Sequence, residues 1–128
     1  MRKVIYTEKA PKAVGPYSQA ISTGNFLFTA GQVAIDPRTG KLVEGGIKEQ
    51  TRQVMENLKA ILAEAAADFS KVVKTTVFLQ DIKNFADFNQ VYGEYFPSEP
   101  PARSTYQVDA LPLGAKVEIE MIVRVGGE

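Results

Sequence analysis

Over residues 47–67 the apolar residues recur at helical spacing. Val54, Leu58, Ile61, Leu62 and Ala65 share one side of a helical wheel, while Lys48, Glu49, Arg52, Glu56 and Lys59 fall mostly elsewhere. An amphipathic helix is predicted here, and its apolar stripe must be buried against another element. The flanking segments supply strands. Residues 72–79 are rich in Val, Thr and Phe. Residues 116–125 alternate strictly, with Val117, Ile119, Met121, Val123 and Val125 on one face and Glu118, Glu120, Ile122 and Arg124 on the other. Residues 4–6, 18–22 and 26–32 read as three earlier strands, the last two joined by the tight turn Thr23-Gly24-Asn25. The stretch Asp36-Pro37-Arg38-Thr39-Gly40 is dense in turn residues and reads as an exposed loop. Phe85, Phe88, Tyr92 and Tyr95 mark a second amphipathic helix. Asn84 is its expected N-cap, Asp87 stands at the third helical position, and Pro97, Pro100 and Pro101 end it. Residues 103–108 and 116–125 close the chain as two strands separated by Leu111-Pro112-Leu113-Gly114.

The resulting order is βββαβαββ. Hairpins at both ends exclude an all-parallel sheet, so the expected class is α+β with both helices on one sheet face. Two helices cover only one face. The other must be wet or buried by another subunit, which makes an oligomer the expectation. At 128 residues the chain reads as a single domain, 1–128. A domain of this size buries roughly two-thirds of the surface its unfolded chain exposes, and needs no disulfide or metal to hold it.

The sequence has no cysteine and no histidine. Thiol nucleophiles, disulfides and thiolate metal sites are therefore excluded, and the usual proton shuttle near neutral pH is missing. Chemistry must come from Glu, Asp, Arg, Lys, Tyr, Ser, Thr, backbone groups or water. Fifteen basic residues balance fifteen acidic ones, so no net field holds a phosphate backbone, which argues against nucleic acid as the main partner. The first eight residues lack the apolar run of a signal peptide, and no stretch is long enough to span a membrane. A cytoplasmic protein is expected, consistent with the missing cysteines.

Two positions stand out chemically. Arg103 follows the stiff entry Pro100-Pro101-Ala102, which suits a guanidinium held as a bidentate clamp on a carboxylate. The pattern by itself fits a surface arginine beside a turn more often than a clamp. Glu118 and Glu120 point the same way from the last strand, about 7 Å apart by its rise. In a cleft, one of them would position or deprotonate a water; on an open face, both would be solvated. Gly15-Pro16-Tyr17 and Ala30-Gly31-Gln32 place glycine beside strand ends, where it permits close backbone approach or serves as ordinary punctuation.

Five short segments occur in order: Gly15-Pro16-Tyr17-Ser18-Gln19-Ala20, Val73-Lys74-Thr75-Thr76-Val77-Phe78-Leu79, Phe88-Asn89-Gln90-Val91-Tyr92, Pro101-Ala102-Arg103-Ser104 and Val117-Glu118-Ile119-Glu120. Together they resemble the reactive-intermediate deaminase (RidA, or YjgF/YER057c/UK114) family. The resemblance implies a chorismate-mutase-like α+β subunit, assembled as a homotrimer with sites in clefts between subunits. It implies hydrolysis of 2-iminobutanoate and 2-iminopropanoate to the 2-keto acid and ammonia, with no cofactor and no metal. Its partners would be the small 2-imino acid and other copies of itself. Arg103 matches the arginine that holds the substrate carboxylate and Glu118 the acid assigned to water activation. Tyr17, Gly31, Asn89 and Thr105 match substrate-pocket positions. Thr105 stands where several members have cysteine and Ala30 where some have serine, so no thiol acts here and one hydroxyl contact is lost. The same resemblance admits an RNA-binding or endoribonuclease role, or a stress-activated binding protein, as the alternative.

Overall fold

The computed structural model describes residues 1–126. It opens with an antiparallel meander of three strands, β1 (Arg2–Ile5), β2 (Ala20–Thr23) and β3 (Phe26–Thr29). Thr23 pairs with Phe26 across the two-residue turn Gly24-Asn25, and Gly24 takes a φ of +56° that few residues other than glycine tolerate. All three strands differ from the predicted spans by a few residues. Beyond Thr29 the strand gives way, and only Gln32 rejoins the sheet, through a bridge to Ile119.

The turn-rich stretch Asp36–Gly40 is the tip of a miniature hairpin, whose two short strands β4 (Ile35–Asp36) and β5 (Lys41–Leu42) were not predicted. Asp36 organises its tip, its carboxylate accepting from the Arg38 backbone N–H at 2.8 Å and from the Arg38 guanidinium. The long helix α1 (Ile47–Glu64) follows. Its first turn is closed by Glu49, whose carboxylate accepts from the Gly46 N–H at 2.8 Å. The predicted helix ran three residues further. It stops because Ala66 turns to φ +58° and the Ala67 N–H bonds back to the Leu62 carbonyl.

Next come β6 (Val72–Leu79), α2 (Phe85–Glu94), β7 (Ala102–Gln107) and β8 (Val117–Arg124). Asn84 does precede α2 as expected, but its side chain makes no capping bond. A short 3-10 turn over Ile82–Asn84, capped by Asp81, leads into the helix. The six-stranded sheet runs β1-β2-β3-β8-β6-β7. This corrects one expectation: β7 and β8 are not a hairpin. The unit β6-α2-β7 is a crossover, which returns the chain parallel to β6 at the sheet edge. From there Leu111–Gly114 carries the chain across to place β8 between β3 and β6, antiparallel to both. The sheet is therefore mixed.

Both helices lie on one face, as predicted. Val54, Leu58, Ile61 and Leu62 of α1 join Val77 and Leu79 of β6, and Val117, Ile119, Met121 and Val123 of β8, in one buried core. Each such side chain contributes about 1.5–3 kcal/mol by leaving water. On the opposite face an apolar row crosses four strands in register, Val4, Ile21, Phe28 and Ile122. Val4 and Phe28 in that row are more than two-fifths exposed. Among the described residues no helix is long and apolar enough to cross a membrane.

Candidate functional site

The β8 alternation is as read from the sequence: Val117, Ile119, Met121 and Val123 are buried, while Glu118, Glu120, Ile122 and Arg124 look away from the helices. Glu118 is half-buried because the segment after β3 lies against it. Gln32 clamps that segment to β8, its N–H donating to the Ile119 carbonyl at 2.9 Å and its carbonyl accepting from the Ile119 N–H at 3.1 Å. This brings Gly31 onto the Glu118 carboxylate. A Cβ at Gly31 would stand 2.5 Å from Oε2, 2.8 Å from Cδ and 3.1 Å from Cγ. Only a residue without a side chain leaves the carboxylate where it is. Burial pushes the Glu118 carboxyl above the ordinary glutamate range, and the negative charge of Glu120 on the same face pushes it further. A carboxylate so placed is a stronger base than a solvated one.

Arg103 is set by different elements. On β7 it pairs in register with Thr75 of β6, a fully buried residue on the helix side of the sheet. The guanidinium carbon lies 4.9 Å from the centroid of the Tyr92 ring and 5.5 Å from those of Phe85 and Phe88, all from α2. Among the described residues no carboxylate lies within ion-pair reach of it. Close by on the same elements are two polar atoms that are buried and unpartnered among the described residues, Asn89 Oδ1 and Thr105 Oγ1. Asn89 lies on the α2 turn between Phe88 and Tyr92, and Thr105 is two residues on from Arg103 on the same face of β7. A cation without a carboxylate partner, next to buried groups lacking partners, is how a site for a small anionic ligand looks when built into one sheet edge.

The two residues singled out for chemistry point to opposite faces of the sheet. Arg103 shares a face with Thr75, whereas Glu118 pairs with Phe78, three residues further along β6 and on the other side. Gly31 is brought to Glu118, and Asn89 and Thr105 are grouped with Arg103. Tyr17 stands apart in the exposed loop after Gly15, where its hydroxyl accepts from the Val14 N–H at 3.3 Å. The sequence marks Phe85, Phe88 and Tyr92 only as the apolar stripe of an amphipathic helix, and gives no sign of their second use as a bed for Arg103. Their helical spacing was visible, but the strand that lays a cation on them was not.

The fold and these residues define an α+β subunit with a cationic, partly unsatisfied pocket at one sheet edge. A family profile described as Endoribonuclease L-PSP matches residues 7–125. A mouse protein named 2-iminobutanoate/2-iminopropanoate deaminase is 50% identical over 126 residues, covering 98% of this chain and 93% of that one. The crystal structure of a conserved Rid family protein of unknown function from Yersinia pestis superposes with a TM-score of 0.95 at 49% identity, covering 98% of this chain and 100% of that one. That of E. coli TdcF with bound serine superposes at 0.92 and 38% identity, covering 97% and 99%. The chain belongs to the reactive-intermediate deaminase (Rid) family.

Proposed function

We propose that this chain hydrolyses short 2-imino acids, 2-iminobutanoate and 2-iminopropanoate, to the 2-keto acid and ammonia. The observation that carries the reading is the Arg103 guanidinium, bedded on aromatic rings with no carboxylate of its own. A planar guanidinium fork binds a carboxylate through two parallel hydrogen bonds. The name of the mouse relative supports the reaction, and serine bound to the E. coli relative supports a ligand of this size bearing a carboxylate.

In this reading Arg103 fixes the substrate carboxylate, while Asn89 and Thr105 offer partners to its polar groups. Glu118 takes a proton from a water as the oxygen adds to the C=N carbon. The resulting carbinolamine accepts that proton on nitrogen, its C–N bond breaks as the hydroxyl proton passes back to the freed Glu118 carboxylate, and ammonia leaves with the keto acid behind, the last proton going to ammonia or solvent. A protonated imine is already electrophilic, so orientation and one base are sufficient, and the scheme calls for no cofactor. Because Arg103 and Glu118 face opposite sides of one sheet, we place each site between two copies of the chain, in a homotrimer. The uncovered row Val4, Ile21, Phe28 and Ile122 is what a neighbouring copy would bury. Tyr17 is assigned to the same pocket by the family resemblance; the chain is taken as one deaminase domain on its length, and a cytoplasmic location accords with its missing cysteines.

A coupled assay tests the activity: threonine dehydratase supplies the imine, and keto-acid release is followed with and without this protein. Acceleration is expected. Faster cleavage of RNA than of imine under matched conditions would instead favour the endoribonuclease reading. Mixing inactive Arg103→Ala and Glu118→Gln chains tests the shared site. If each site draws its arginine and its glutamate from different copies, random reassembly restores about one site in four. No recovery is possible if both come from one chain.

A further inference from the structure

We infer that the buried hydroxyl pair of Thr75 and Tyr92 is a positioning device for Arg103, setting how tightly the substrate carboxylate is held. The inference rests on the reading of Arg103 as the carboxylate clamp. Thr75 Oγ1 and Tyr92 OH lie 2.7 Å apart, joining the middle of β6 to α2. Thr75 is fully buried, and Tyr92 nearly so. Thr75 also pairs in register with Arg103, and the Tyr92 ring lies nearest the guanidinium of the three aromatic rings. One residue is thus bound both to the backbone row that carries Arg103 and to the ring on which its side chain rests.

The physical reason for such a link lies in what cation–π contact does and does not fix. Attraction to a ring face is broad in angle, so three rings by themselves keep a guanidinium near but leave it free to slide. A bidentate grip on a carboxylate needs the plane held. A hydrogen bond in a dry interior is directional, and a buried hydroxyl that loses its partner is penalised, so the ring cannot drift without cost. Burial keeps the Tyr92 phenol above its ordinary value, against the pull of the Thr75 hydroxyl and of the Arg103 guanidinium beside it, so the hydroxyl stays protonated. A buried tyrosine hydroxyl needs a partner somewhere; here the partner is the residue paired in register with Arg103, which ties the core contact to the clamp.

Packing and positioning are separable by a double-mutant cycle. Tyr92→Phe keeps the ring and Thr75→Val keeps the shape, and each leaves one buried hydroxyl without a partner. Both single variants are expected to lower Tm, whereas the double variant, with both hydroxyls removed, regains it. The kinetic readout should behave differently. KM for 2-iminobutanoate is expected to rise on the order of fivefold in both single variants and to stay raised in the double variant, the fold-change that one net hydrogen bond gives. kcat should move less than about twofold, because the carboxylate is held equally in ground and transition states. Thr75→Ser, which retains the hydroxyl, should keep the wild-type KM. If a single variant does not fold, the double variant and Thr75→Ser decide the matter. A KM that returns to wild type with Tm in the double variant makes the pair a packing feature and overturns the inference. So does an unchanged KM in every variant while Arg103→Ala raises KM. Should Arg103→Ala itself keep a normal KM, the clamp reading fails first, and the inference with it.

Discussion

The two halves of the candidate site are held by opposite means. Arg103 stands on an edge strand and is stabilised by what surrounds it, three rings of α2 and a hydroxyl pair beneath. Glu118 stands on a strand with a neighbour on either side and owes its position to something left out, the Cβ that Gly31 lacks. The guanidinium is a weakly hydrated cation that loses little by lying on aromatic faces. The carboxylate is a strongly hydrated anion, and its partial removal from water appears as a raised pKa. Damage to the first half should therefore be felt as weakened binding, and damage to the second as lost rate and a displaced pH profile.

Glu118→Gln should have the largest effect. It is nearly isosteric but a far poorer base, and a drop on the order of 10²–10⁴ in kcat is expected, measured after light scattering confirms that assembly is intact. Arg103→Lys keeps the charge and loses the fork, for a fall of roughly ten- to a hundredfold in kcat/KM, mostly in KM, and Arg103→Ala should fall further. Near-normal turnover in Arg103→Ala would remove the first half from the site altogether. Gly31→Ala is expected to cost about tenfold in kcat by pushing the carboxylate aside. Its thermal midpoint should scarcely change, since the backbone at Gly31 is open to alanine.

The smallest effect concerns Glu120. Only the ionised form of Glu118 is a base, so activity is present above its pKa and is lost as pH falls through it. That acid limb should lie above the ordinary carboxylate range. Glu120→Gln removes the neighbouring charge, which lowers the Glu118 pKa and moves the limb to lower pH. It stays above the ordinary range because burial, the larger cause, remains. A Glu120→Gln variant that is inactive, with Glu118→Gln near normal, would shift the assigned base by two residues.

What could be read from the sequence was what a single segment encodes. The helical stripe of α1 and the alternation of β8 depend on neighbours a few residues apart, and both were legible with their faces correct. The partner of β7 was not. Its residues are mostly half-exposed with no strong alternation, as suits an edge, and its pairing is dictated by the α2 crossover rather than by its own side chains. The site divides the same way. Patterning alone left Arg103 beside a turn and Glu118 on a solvated face, and the family resemblance chose between readings. That they face apart needed the β6 register, and the Thr75–Tyr92 contact spans 17 residues.

The placement of β8 has a consequence for how the molecule comes into being. The meander of β1, β2 and β3 and the pair of β6 and β7 are joined in the sheet only through β8, the last strand of the described chain. A ribosome emits both halves before the strand that unites them, the meander long before and β7 just before. Until β8 emerges, β3 and β6 each expose an unpaired edge, the condition under which strands join other chains instead of their own. Sheet formation is thus a closing event, late in synthesis and dependent on contacts far apart in sequence, which slows folding relative to helical proteins of this size. Chains arrested before Val117 should be readily cleaved by protease and prone to aggregate. Chains extended past Arg124 and clear of the exit tunnel should acquire resistance in a single step.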